Sequence, residues 1–464
     1  MEQERCKTRG LRSAPSNRCP VPASERNIVT SFDIAQLDAD FHLKALKKRW
    51  FLKEPLGMPD WNLRQKRLIA AHLLKGQDDK RGRECAQALE EEVCRVFGAR
   101  FCIATASGRE AIKLVLLGLG AQAGERVILP SFCCLSVLMP VLELDLEPVL
   151  ADVKDDLQVD PESVRRVMRP GDRALIVPHL FGGLADMPAL VEIARANGAA
   201  VIDDAAQAIG LKADWGWAGR GGNAGVFSFG LCKPLNAMGG GAFLTDDEYL
   251  YERALKALQP GTYSNPSRAG VMKTWLKTAW RRYTYRPFLY NRLRQQGAQP
   301  LNAASSLEGD RRVYRIGALH AQLAASQMAT IAARRQQASR EAAAFKKGLA
   351  RIPFVKMHNN GPQDGFPRFV LQTVQDRSAS DYASIFSAFL QKGIEVQPTY
   401  RPLHRILKDM GRQPQGESCR SESLTEQLIC LPFPDQKRGP RILQAMEDVH
   451  KLCLGNQSLK NKKP

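Results

Sequence analysis

The sequence has no long apolar run and no apolar core near its N-terminus. Residues 1–19 are polar, and the most apolar stretch, Val127 to Leu142, is interrupted by two prolines and two serines. That stretch is also shorter than the roughly 20 apolar residues that a membrane-spanning helix needs. We therefore expect neither a signal peptide nor a transmembrane helix, and a cytoplasmic chain that is soluble or peripheral to the inner membrane surface.

Cysteine pairs and metal-ligand spacings are also missing. The 464 residues contain 11 cysteines, an odd number, and no CxxC pair. Several of them, such as Cys94 and Cys102, lie in apolar surroundings, which is typical of buried reduced thiols in a cytoplasmic protein. The pattern therefore predicts free thiols and no metal site.

Negative charge is scarce relative to positive charge. Lys and Arg number 67 and Asp and Glu 48, which gives a formal net charge of +19. The hydrophobic fraction of 44% and the charged fraction of 25% are ordinary for a globular chain of two or three domains. The positive field favours an anionic partner, which could be nucleic acid, anionic lipid or a phosphorylated small molecule.

The pattern along the chain predicts an α/β protein. Strands alternate with amphipathic helices, which indicates a mostly parallel sheet with helices on both faces. Residues 316–345 read as one long helix. The predicted segments are a basic N-terminal extension (1–83), a large domain (84–258), a basic aromatic insertion (259–312), a long helix with a small C-terminal domain (313–455) and a basic tail (456–464).

Polar groups follow three of the predicted strands. Ser107 and Gly108 stand where a strand turns into a helix, whose free N–H groups form a natural phosphate seat. Asp204 comes directly after another apolar strand, and Lys233 lies in a loop bounded by glycines. Because ligands bind beyond the carboxyl ends of such strands, these groups are expected to meet. A carboxylate, a phosphate seat and a lysine are what pyridoxal 5'-phosphate (PLP) requires.

The order and spacing of these motifs resemble the DegT-type nucleotide-sugar aminotransferases, which are PLP-dependent enzymes of aspartate aminotransferase fold type I. The resemblance runs from about residue 82 to residue 449. It implies a large, mostly parallel-sheet domain and a smaller C-terminal α/β domain. The motifs that carry it are SGREAI (107–112), VILPSF (127–132), VPHLFGGLADMPAL (177–190), VIDDAAQA (201–208), FSFGLCKPLNAMGGGAFLTDD (227–247), VYRIGALHAQL (313–323) and ICLPFPD (429–435).

The resemblance implies a role for each matching residue. Lys233 would form the Schiff base with PLP and then move the proton between substrate and cofactor. Asp204 would pair with the pyridine nitrogen, and Gln207 would contact the ring or its hydroxyl. Ser228, together with the backbone around Ser107 and Gly108, would hold the phosphate. A lysine at position 233 favours transamination, since a branch of sugar dehydratases carries histidine there.

Three further residues are candidates for the site, His179 on the same resemblance and the other two on their position after a predicted strand of the small domain. His179, in the HLFG turn, is expected near the site, either as part of the catalytic machinery or as a buried strand-end histidine. Arg401 and His404, in the TYRPLH segment, are candidates for contacting the substrate.

The sequence departs from the family pattern at three cofactor contacts. Arg109 replaces a threonine in the phosphate seat, and its cation could take over the contact. Cys134 stands where an aromatic ring usually stacks on the cofactor, with Phe132 two residues earlier. Val313 replaces an asparagine that commonly reaches the phosphate of the neighbouring subunit. These changes weaken the expected cofactor contacts but leave the lysine and Asp204 in place.

Residues 268–294 concentrate the excess charge, with eight Lys or Arg and no Asp or Glu. As a helix, this segment would place Met272, Leu276 and Tyr283 on one face beside a basic stripe. Such a helix could lie on an anionic membrane surface. The favoured alternative is a solvated loop that packs its aromatic side chains on the domain and lends cations to a nucleotide diphosphate. Nucleic acid is the least favoured partner, because no recognised nucleic-acid-binding signature accompanies the charge.

The expected function is PLP-dependent transamination of a keto sugar. The sugar is expected to be nucleotide-linked and the donor to be an amino acid, glutamate by family habit, in glycan or polysaccharide biosynthesis. A homodimer is expected, because sites in this family are shared between subunits. One alternative is a catalytically silent relative that serves as a membrane-surface or partner-binding scaffold. Another is an aminotransferase for a non-sugar ketone such as a cyclitol.

Overall fold

The computed structural model describes residues 61–75, 79–258, 263–264, 266–283, 312–353, 355–357, 368–373, 389, 392, 394–425 and 427–460. Most of the N-terminal extension, the second half of the basic insertion and the last four residues lie outside this part of the chain.

The helices are amphipathic, and local signals set their ends. In the helix 187–196, Asp186 accepts a hydrogen bond from the amide of Ala189 at 3.2 Å, and Gly198 with φ of 71° follows its end. The helices are α1 (Leu63–Lys75), α2 (Asp79–Phe97), α3 (Gly108–Gly118), α4 (Leu135–Glu143), α5 (Pro161–Val167), α6 (Met187–Ala196), α7 (Glu248–Ala257), α8 (Arg268–Tyr283), α9 (Ala318–Met328), α10 (Ile331–Leu349), α11 (Leu403–Asp409), α12 (Cys419–Thr425) and α13 (Gly439–Lys460).

The strands are short, and those at the centre of the large sheet are almost entirely buried. They are β1 (Phe101–Thr105), β2 (Arg126–Pro130), β3 (Glu147–Ala151), β4 (Ala174–Pro178), β5 (Ala200–Asp204), β6 (Lys212–Ala213), β7 (Gly216–Trp217), β8 (Ala224–Ser228), β9 (Gly241–Thr245), β10 (Tyr263–Ser264), β11 (Arg315–Ile316), β12 (Val355–Met357), β13 (Arg368–Thr373), β14 (Gln397–Pro398), β15 (Gln415–Gly416) and β16 (Leu428–Pro432).

The large sheet is mostly parallel, as the sequence predicts. Its order is β10-β11-β1-β9-β8-β5-β4-β2-β3-β15. The strands β3, β2, β4, β5 and β8 pair in parallel, whereas β9 runs antiparallel to both β8 and β1. Strands β1 and β8 therefore point the same way as β4 and β5. Their carboxyl ends meet at one edge of the sheet, and the polar residues that follow these strands converge there.

The C-terminal part forms a second, smaller sheet of order β12-β13-β16-β14, with antiparallel pairs. Helices α10 and α13 cover it through a separate apolar core that includes Phe345, Phe369 and Met446. The connection from this unit reaches back to the large sheet, where β15 pairs in parallel with β3.

The long helix predicted over 316–345 is wrong in one respect. It is two helices, α9 and α10, separated at Ala329 and Thr330. The hydroxyl of Thr330 donates a hydrogen bond to the carbonyl of Gln327 at 3.0 Å, and its amide also bonds to that carbonyl, at 3.2 Å. These local bonds replace the regular helical pattern and end α9 there.

Helices outside the predicted domain boundary also join the large domain. Helix α1 lies within residues 1–83 and packs against α9 and α8, and Trp61 just before it donates an indole hydrogen bond to the carbonyl of Asn236 at 3.1 Å. Helix α8 belongs to the basic insertion and contributes Val271 to the apolar core that also contains Trp61. Among the described residues, no helix combines the length and the apolar character required to span a bilayer.

Candidate active site

A cavity of about 350 Å³ lies at the edge of the sheet where β1, β4, β5 and β8 end. Among the residues that line it are Ser107, Gly108, Arg109, Cys134, His179, Asp204, Gln207, Ser228, Lys233 and Tyr400. Nine of these were candidates from the sequence. The fold therefore brings together side chains and backbone from the three predicted strand ends and from the segments that contain Cys134 and His179.

The phosphate seat is formed by a close approach between the start of α3 and the end of β8. Ser107 has an extended backbone with φ of −163° and caps α3 by accepting the amide hydrogen of Glu110 at 3.2 Å. A Cβ placed on Gly108 would lie only 2.8 Å from Cβ of Ser228. Glycine is therefore required for the helix terminus to meet this strand end, and Gly108 and Ser228 both line the cavity.

The loop that carries Lys233 is held by main-chain hydrogen bonds. The amide of Phe229 donates to the carbonyl of Gly240 at 2.8 Å, and the amide of Ala237 donates to the carbonyl of Phe229 at 2.8 Å. Cys232, just before the lysine, has φ of 63°, a backbone conformation that is unfavourable for a residue with a Cβ. The surrounding bonds hold this strained turn in place, and strain of this kind is concentrated at functional sites.

Asp204 is a buried carboxyl group at the end of β5. One carboxylate oxygen accepts the amide hydrogen of Ala206 at 2.9 Å. Burial raises the pKa of the carboxyl, while the charge of Lys233 and the Ala206 hydrogen bond act in the opposite direction. A buried carboxylate of this kind gains from a cation beside it, and a protonated pyridine nitrogen would supply one.

Gln207 links two parts of the cavity wall. Its amide oxygen accepts the backbone N–H of Phe181 at 3.2 Å, and its amide nitrogen donates to the hydroxyl of Tyr400 at 3.1 Å. The rings of Phe181 and Tyr400 are nearly parallel, with centroids 5.4 Å apart. The site therefore has aromatic side chains, but they are Phe181 and Tyr400 and not Phe132, the aromatic residue nearest to the expected stacking position.

His179 lines the cavity and is completely buried. Its Nδ1 accepts the amide hydrogen of Ala185 at 3.0 Å, and its Nε2 lies 2.8 Å from a carboxylate oxygen of Asp203. The ring also lies nearly parallel to Trp215, with centroids 6.0 Å apart. Contacts at both ring nitrogens fix the imidazole in place beside the cavity, and its part in catalysis stays a prediction.

The residues at which the sequence departs from the family pattern differ in how deeply they are buried. Arg109 and Cys134 line the cavity; the side chain of Arg109 is 45% exposed, and its guanidinium lies 3.9 Å from Glu143. Phe132 is not part of the lining. It is fully buried behind Tyr400, with the two ring centroids 6.0 Å apart. Val313 is fully buried in the main apolar core.

The two substrate candidates do not line the cavity of this chain. Arg401 forms an ion pair with Asp409 at 2.6 Å, and His404 is buried within α11, where its Nε2 lies 3.4 Å from Glu422. The TYRPLH segment turns into α11 directly after Tyr400, so successive side chains face different directions. Of this segment, Tyr400 lines the cavity, and Arg401 and His404 do not.

A second lining residue was missed. Arg368, the first residue of β13, enters the cavity from the small sheet. In the sequence, Arg368 is marked only by its place at the start of the strand PRFVLQTV. That pattern does not predict which side of the strand would face the cavity.

The residues present fit PLP. The first turn of α3 with Ser107 and Ser228 suits a phosphate, and the close contact at Gly108 keeps these groups together. Asp204 suits a ring nitrogen, and Lys233 supplies an amine in the same cavity. These residues therefore match both the phosphate group and the pyridine ring of PLP.

Solved structures confirm the fold. An aminotransferase of the DegT DnrJ EryC1 StrS type from Brucella abortus is 21% identical with a TM-score of 0.64, over 83% of this chain and 95% of that chain. DesV from S. venezuelae, solved with a ketimine intermediate, is 23% identical with a TM-score of 0.65, over 85% and 99%. An E. coli GDP-4-keto-6-deoxy-D-mannose-3-dehydratase with bound hydrated PLP is 16% identical with a TM-score of 0.65, over 86% and 99%.

The family model for the DegT/DnrJ/EryC1/StrS aminotransferases matches residues 64–447. The match spans every motif quoted above and extends across the large domain, the insertion and the small C-terminal unit. The chain is therefore an enzyme that belongs to the DegT/DnrJ/EryC1/StrS aminotransferase family.

Proposed function

We propose that the protein is a PLP-dependent aminotransferase for a keto sugar, with a nucleotide-linked sugar as acceptor and glutamate as amino donor. The observation that carries this proposal is the meeting of Lys233, Asp204 and the phosphate seat in one cavity. Membership of an aminotransferase family supports the reaction class. The substrate proposal rests on the family resemblance of the motifs.

PLP, when bound, would supply an electron sink for breaking the bond to the substrate α-hydrogen. The amine of Lys233 would take that proton and return it to the other carbon. Asp204 would keep the ring nitrogen protonated, because its buried carboxylate is stabilised by a cation. Gln207, held between Phe181 and Tyr400, would contact the ring at its edge.

Lysine at position 233 favours amino transfer over dehydration. A primary amine can bind the cofactor covalently and be displaced by the amino donor, whereas an imidazole can act only as a base. One neighbour in fold is described as a dehydratase with bound PLP, so the fold alone is compatible with either activity. The amine of Lys233 is thus the feature that favours transamination over dehydration.

The test is a glutamate-dependent half-reaction, followed by a screen of keto sugar nucleotides. Purified protein mixed with PLP should show a visible absorbance band that disappears in Lys233→Ala, and glutamate should convert it to pyridoxamine phosphate. Lys346→Ala, an exposed lysine of α10, is the matched control and should keep the band. A wild-type protein that binds no PLP and forms no pyridoxamine phosphate would contradict the proposal and favour a silent scaffold.

If glutamate converts the cofactor, the acceptor screen identifies the substrate class. Keto sugar nucleotides and cyclitol ketones should be tested side by side at equal concentration. Turnover of a cyclitol but no sugar nucleotide would replace the sugar assignment and leave the aminotransferase assignment intact. We also propose a homodimer, on the family resemblance, and sedimentation equilibrium checks it directly.

A second proposal concerns α8 at the start of the basic insertion. Its described surface has three exposed apolar side chains, Met272, Trp275 and Leu276, next to the exposed cations Arg268 and Lys273. Apolar side chains flanked by cations match the charge and apolarity of an anionic bilayer surface. We propose that α8 contacts the anionic cytoplasmic membrane surface.

Vesicle sedimentation tests this contact. Vesicles with phosphatidylserine should retain the protein, and vesicles of phosphatidylcholine alone should not. A variant with Met272, Trp275 and Leu276 all changed to Gln should lose binding, whereas Lys346→Gln with Lys347→Gln on α10 should keep it. Equal sedimentation of the wild type and the triple variant would overturn the proposal. A loss of dimer instead of vesicle binding would assign this face to a second copy of the chain.

A further inference from the structure

A buried glutamine outside the cavity holds the main chain of the loop that carries Lys233. Gln327, in the last turn of α9, is 5% exposed and does not line the cavity. The amide of Asn236 donates to Oε1 of Gln327 at 3.3 Å, and Nε2 of Gln327 donates to the carbonyl of Asn236 at 2.9 Å. One side-chain amide therefore pairs with both main-chain groups of Asn236, three residues after Lys233.

The orientation of the Gln327 amide is fixed by its other neighbours. The guanidinium of Arg334 donates to Oε1 at 3.3 Å, and Nε2 also donates to the carbonyl of Leu323 at 2.9 Å. A guanidinium can only donate and a carbonyl can only accept, so a reversed amide would oppose like groups at both ends. The side chain is therefore held in the orientation that serves both groups of Asn236.

The loop needs an anchor because its backbone is strained on both sides of this contact. Cys232 has φ of 63° and Met238 has φ of 68°, which is unfavourable for residues with a Cβ. Strained backbone of this kind persists only where surrounding contacts hold it. Asn236 lies between the two strained residues, and the indole of Trp61 also donates to its carbonyl, at 3.1 Å. The contacts at Asn236 therefore hold the segment that contains Lys233.

The same contacts set the position of the Lys233 amine. Only two residues separate Lys233 from Asn236. The first is Pro234, whose ring fixes one backbone angle, and the second is Leu235, which is fully buried in the apolar core. A shift of Asn236 is therefore passed on to Lys233, and Gln327 reaches the reaction site through the main chain.

We propose that Gln327 is a positioning residue for the amine of Lys233. This inference rests on the proposed aminotransferase function, in which that amine moves the substrate proton. It follows that the rate of proton transfer depends on the side-chain amide of Gln327, whereas the affinity for the amino donor does not.

The experiment is the glutamate half-reaction of the PLP-loaded enzyme, followed by stopped-flow absorbance. Gln327→Met keeps a side chain of similar length and removes its hydrogen bonds. The maximal rate should fall about 10- to 100-fold, the size of effect expected for a misplacement of about 1 Å. The glutamate concentration that gives half the maximal rate should change less than about threefold. Glutamate deuterated at the α-carbon should show a larger isotope effect than in the wild type, because proton transfer becomes the slower step.

Two further variants separate positioning from a general loss of stability. Ile193→Ala removes a buried side chain of α6 that does not line the cavity. It should lower stability towards urea and leave the rate and the isotope effect of the half-reaction unchanged. Trp61→Phe removes the other donor to the carbonyl of Asn236 and should show the pattern of Gln327→Met with a smaller loss.

Hydrogen exchange of the protein without added PLP separates this inference from the proposed function. Main-chain exchange in residues 229–240 should be faster in Gln327→Met than in the wild type, and unchanged in Ile193→Ala. Failure of the wild type to bind PLP would reject the proposed function, and the exchange result would still decide whether Gln327 holds the loop.

Four results would overturn the inference. Unchanged exchange in residues 229–240 would show that Gln327 does not hold the loop. An unchanged maximal rate in loaded Gln327→Met would show that the contact does not position the amine. A rise in the half-saturating glutamate concentration alone would assign Gln327 to donor binding. Equal losses of rate in Gln327→Met and Ile193→Ala would show a general loss of stability.

Discussion

The two walls of the cavity differ in how they are built. One wall comes from the carboxyl ends of β1, β5 and β8, and its residues Ser107, Asp204, Ser228 and Lys233 stand in continuous sequence motifs. The other wall comes from the C-terminal unit and consists of Arg368 with Tyr400. The positions of the residues in the first wall are therefore set by local strand ends. The positions of Arg368 and Tyr400 depend instead on how the C-terminal unit packs against the large domain.

The docking uses main-chain amides of the C-terminal unit as hydrogen-bond donors to the large domain. Asp152, buried at the end of β3, accepts the amide hydrogens of Arg420 and Ser421 at 2.6 and 3.0 Å. It also accepts the hydroxyl of Ser131 at 3.1 Å, and the carbonyl of Ser131 accepts the amide of Leu403 at 2.8 Å. This arrangement fixes the start of α11, and with it Tyr400, against the large domain.

The largest effect is expected for the first wall at Asp204. Asp204→Asn removes the charge opposite the ring nitrogen and should lower the rate of the glutamate half-reaction by about 10²- to 10³-fold, as for other preorganised electrostatic contacts. Stopped-flow absorbance measures this rate. Asp214→Asn, an exposed aspartate near β6, is the matched control. A loss of less than about threefold at Asp204 would show that this wall does not control the cofactor.

The second prediction concerns a histidine that packs behind the first wall. His320 packs under Gly239, where an added Cβ would lie 2.9 Å from its ring, and burial lowers the pKa of His320 from 6.5 to about 4. Between these two pH values the unfolded chain binds a proton that the folded chain does not. The free energy of unfolding should therefore fall as pH drops from 6.5 to 4, by up to about 3 kcal/mol.

Urea denaturation of the protein at pH 7 and pH 4.5 measures this loss. His320→Gln should show a smaller difference between the two pH values than the wild type. An equal difference in both proteins would show that the histidine is not the source of the pH dependence.

A smaller effect is expected at the phosphate seat. In Gly108→Ala the new Cβ would lie 2.8 Å from Ser228, and the strand and helix would have to separate. We expect about a tenfold loss of cofactor affinity and about 2 kcal/mol of lost stability, typical of overpacking. Equilibrium dialysis gives the affinity. Gly230→Ala, whose Cβ would lie 3.8 Å from the Ser228 hydroxyl, should cost much less; equal losses would contradict the account.

The smallest effect is expected in the second wall at Tyr400. Tyr400→Phe removes the hydroxyl that accepts the amide hydrogen of Gln207 at 3.1 Å and should lower kcat/KM about fivefold, equal to about 1 kcal/mol. Steady-state kinetics with glutamate measures it. Tyr249→Phe, an exposed tyrosine of α7, is the control. A loss at Tyr400 larger than that at Asp204 would reverse the ranking of the two walls.

The sequence was sufficient for the first wall because its residues are tied to local structure. Ser107 caps a helix, Asp204 ends a buried strand, and Lys233 stands in a glycine-bounded loop, so each position follows from a short motif. The strands of the large sheet were predicted for the same reason, since apolar runs of five residues end at turn signals.

The second wall could not be predicted, because the direction of a side chain after a short strand depends on tertiary contacts. Arg401 and Tyr400 are adjacent, yet only Tyr400 lines the cavity. Arg368 is the first residue of a strand whose pairing with β16 decides which way it faces. The break between α9 and α10 escaped prediction because it depends on hydrogen bonds of Thr330 within an otherwise helical pattern.

The central claim is that Lys233 binds the cofactor. Reduction of the PLP-loaded enzyme with borohydride, followed by proteolysis and mass spectrometry, locates the modified lysine directly. The account predicts a pyridoxyl group on the peptide that contains Lys233 and on no other peptide. Modification of Lys113, which is buried beside Glu143, or of no lysine at all, would contradict it.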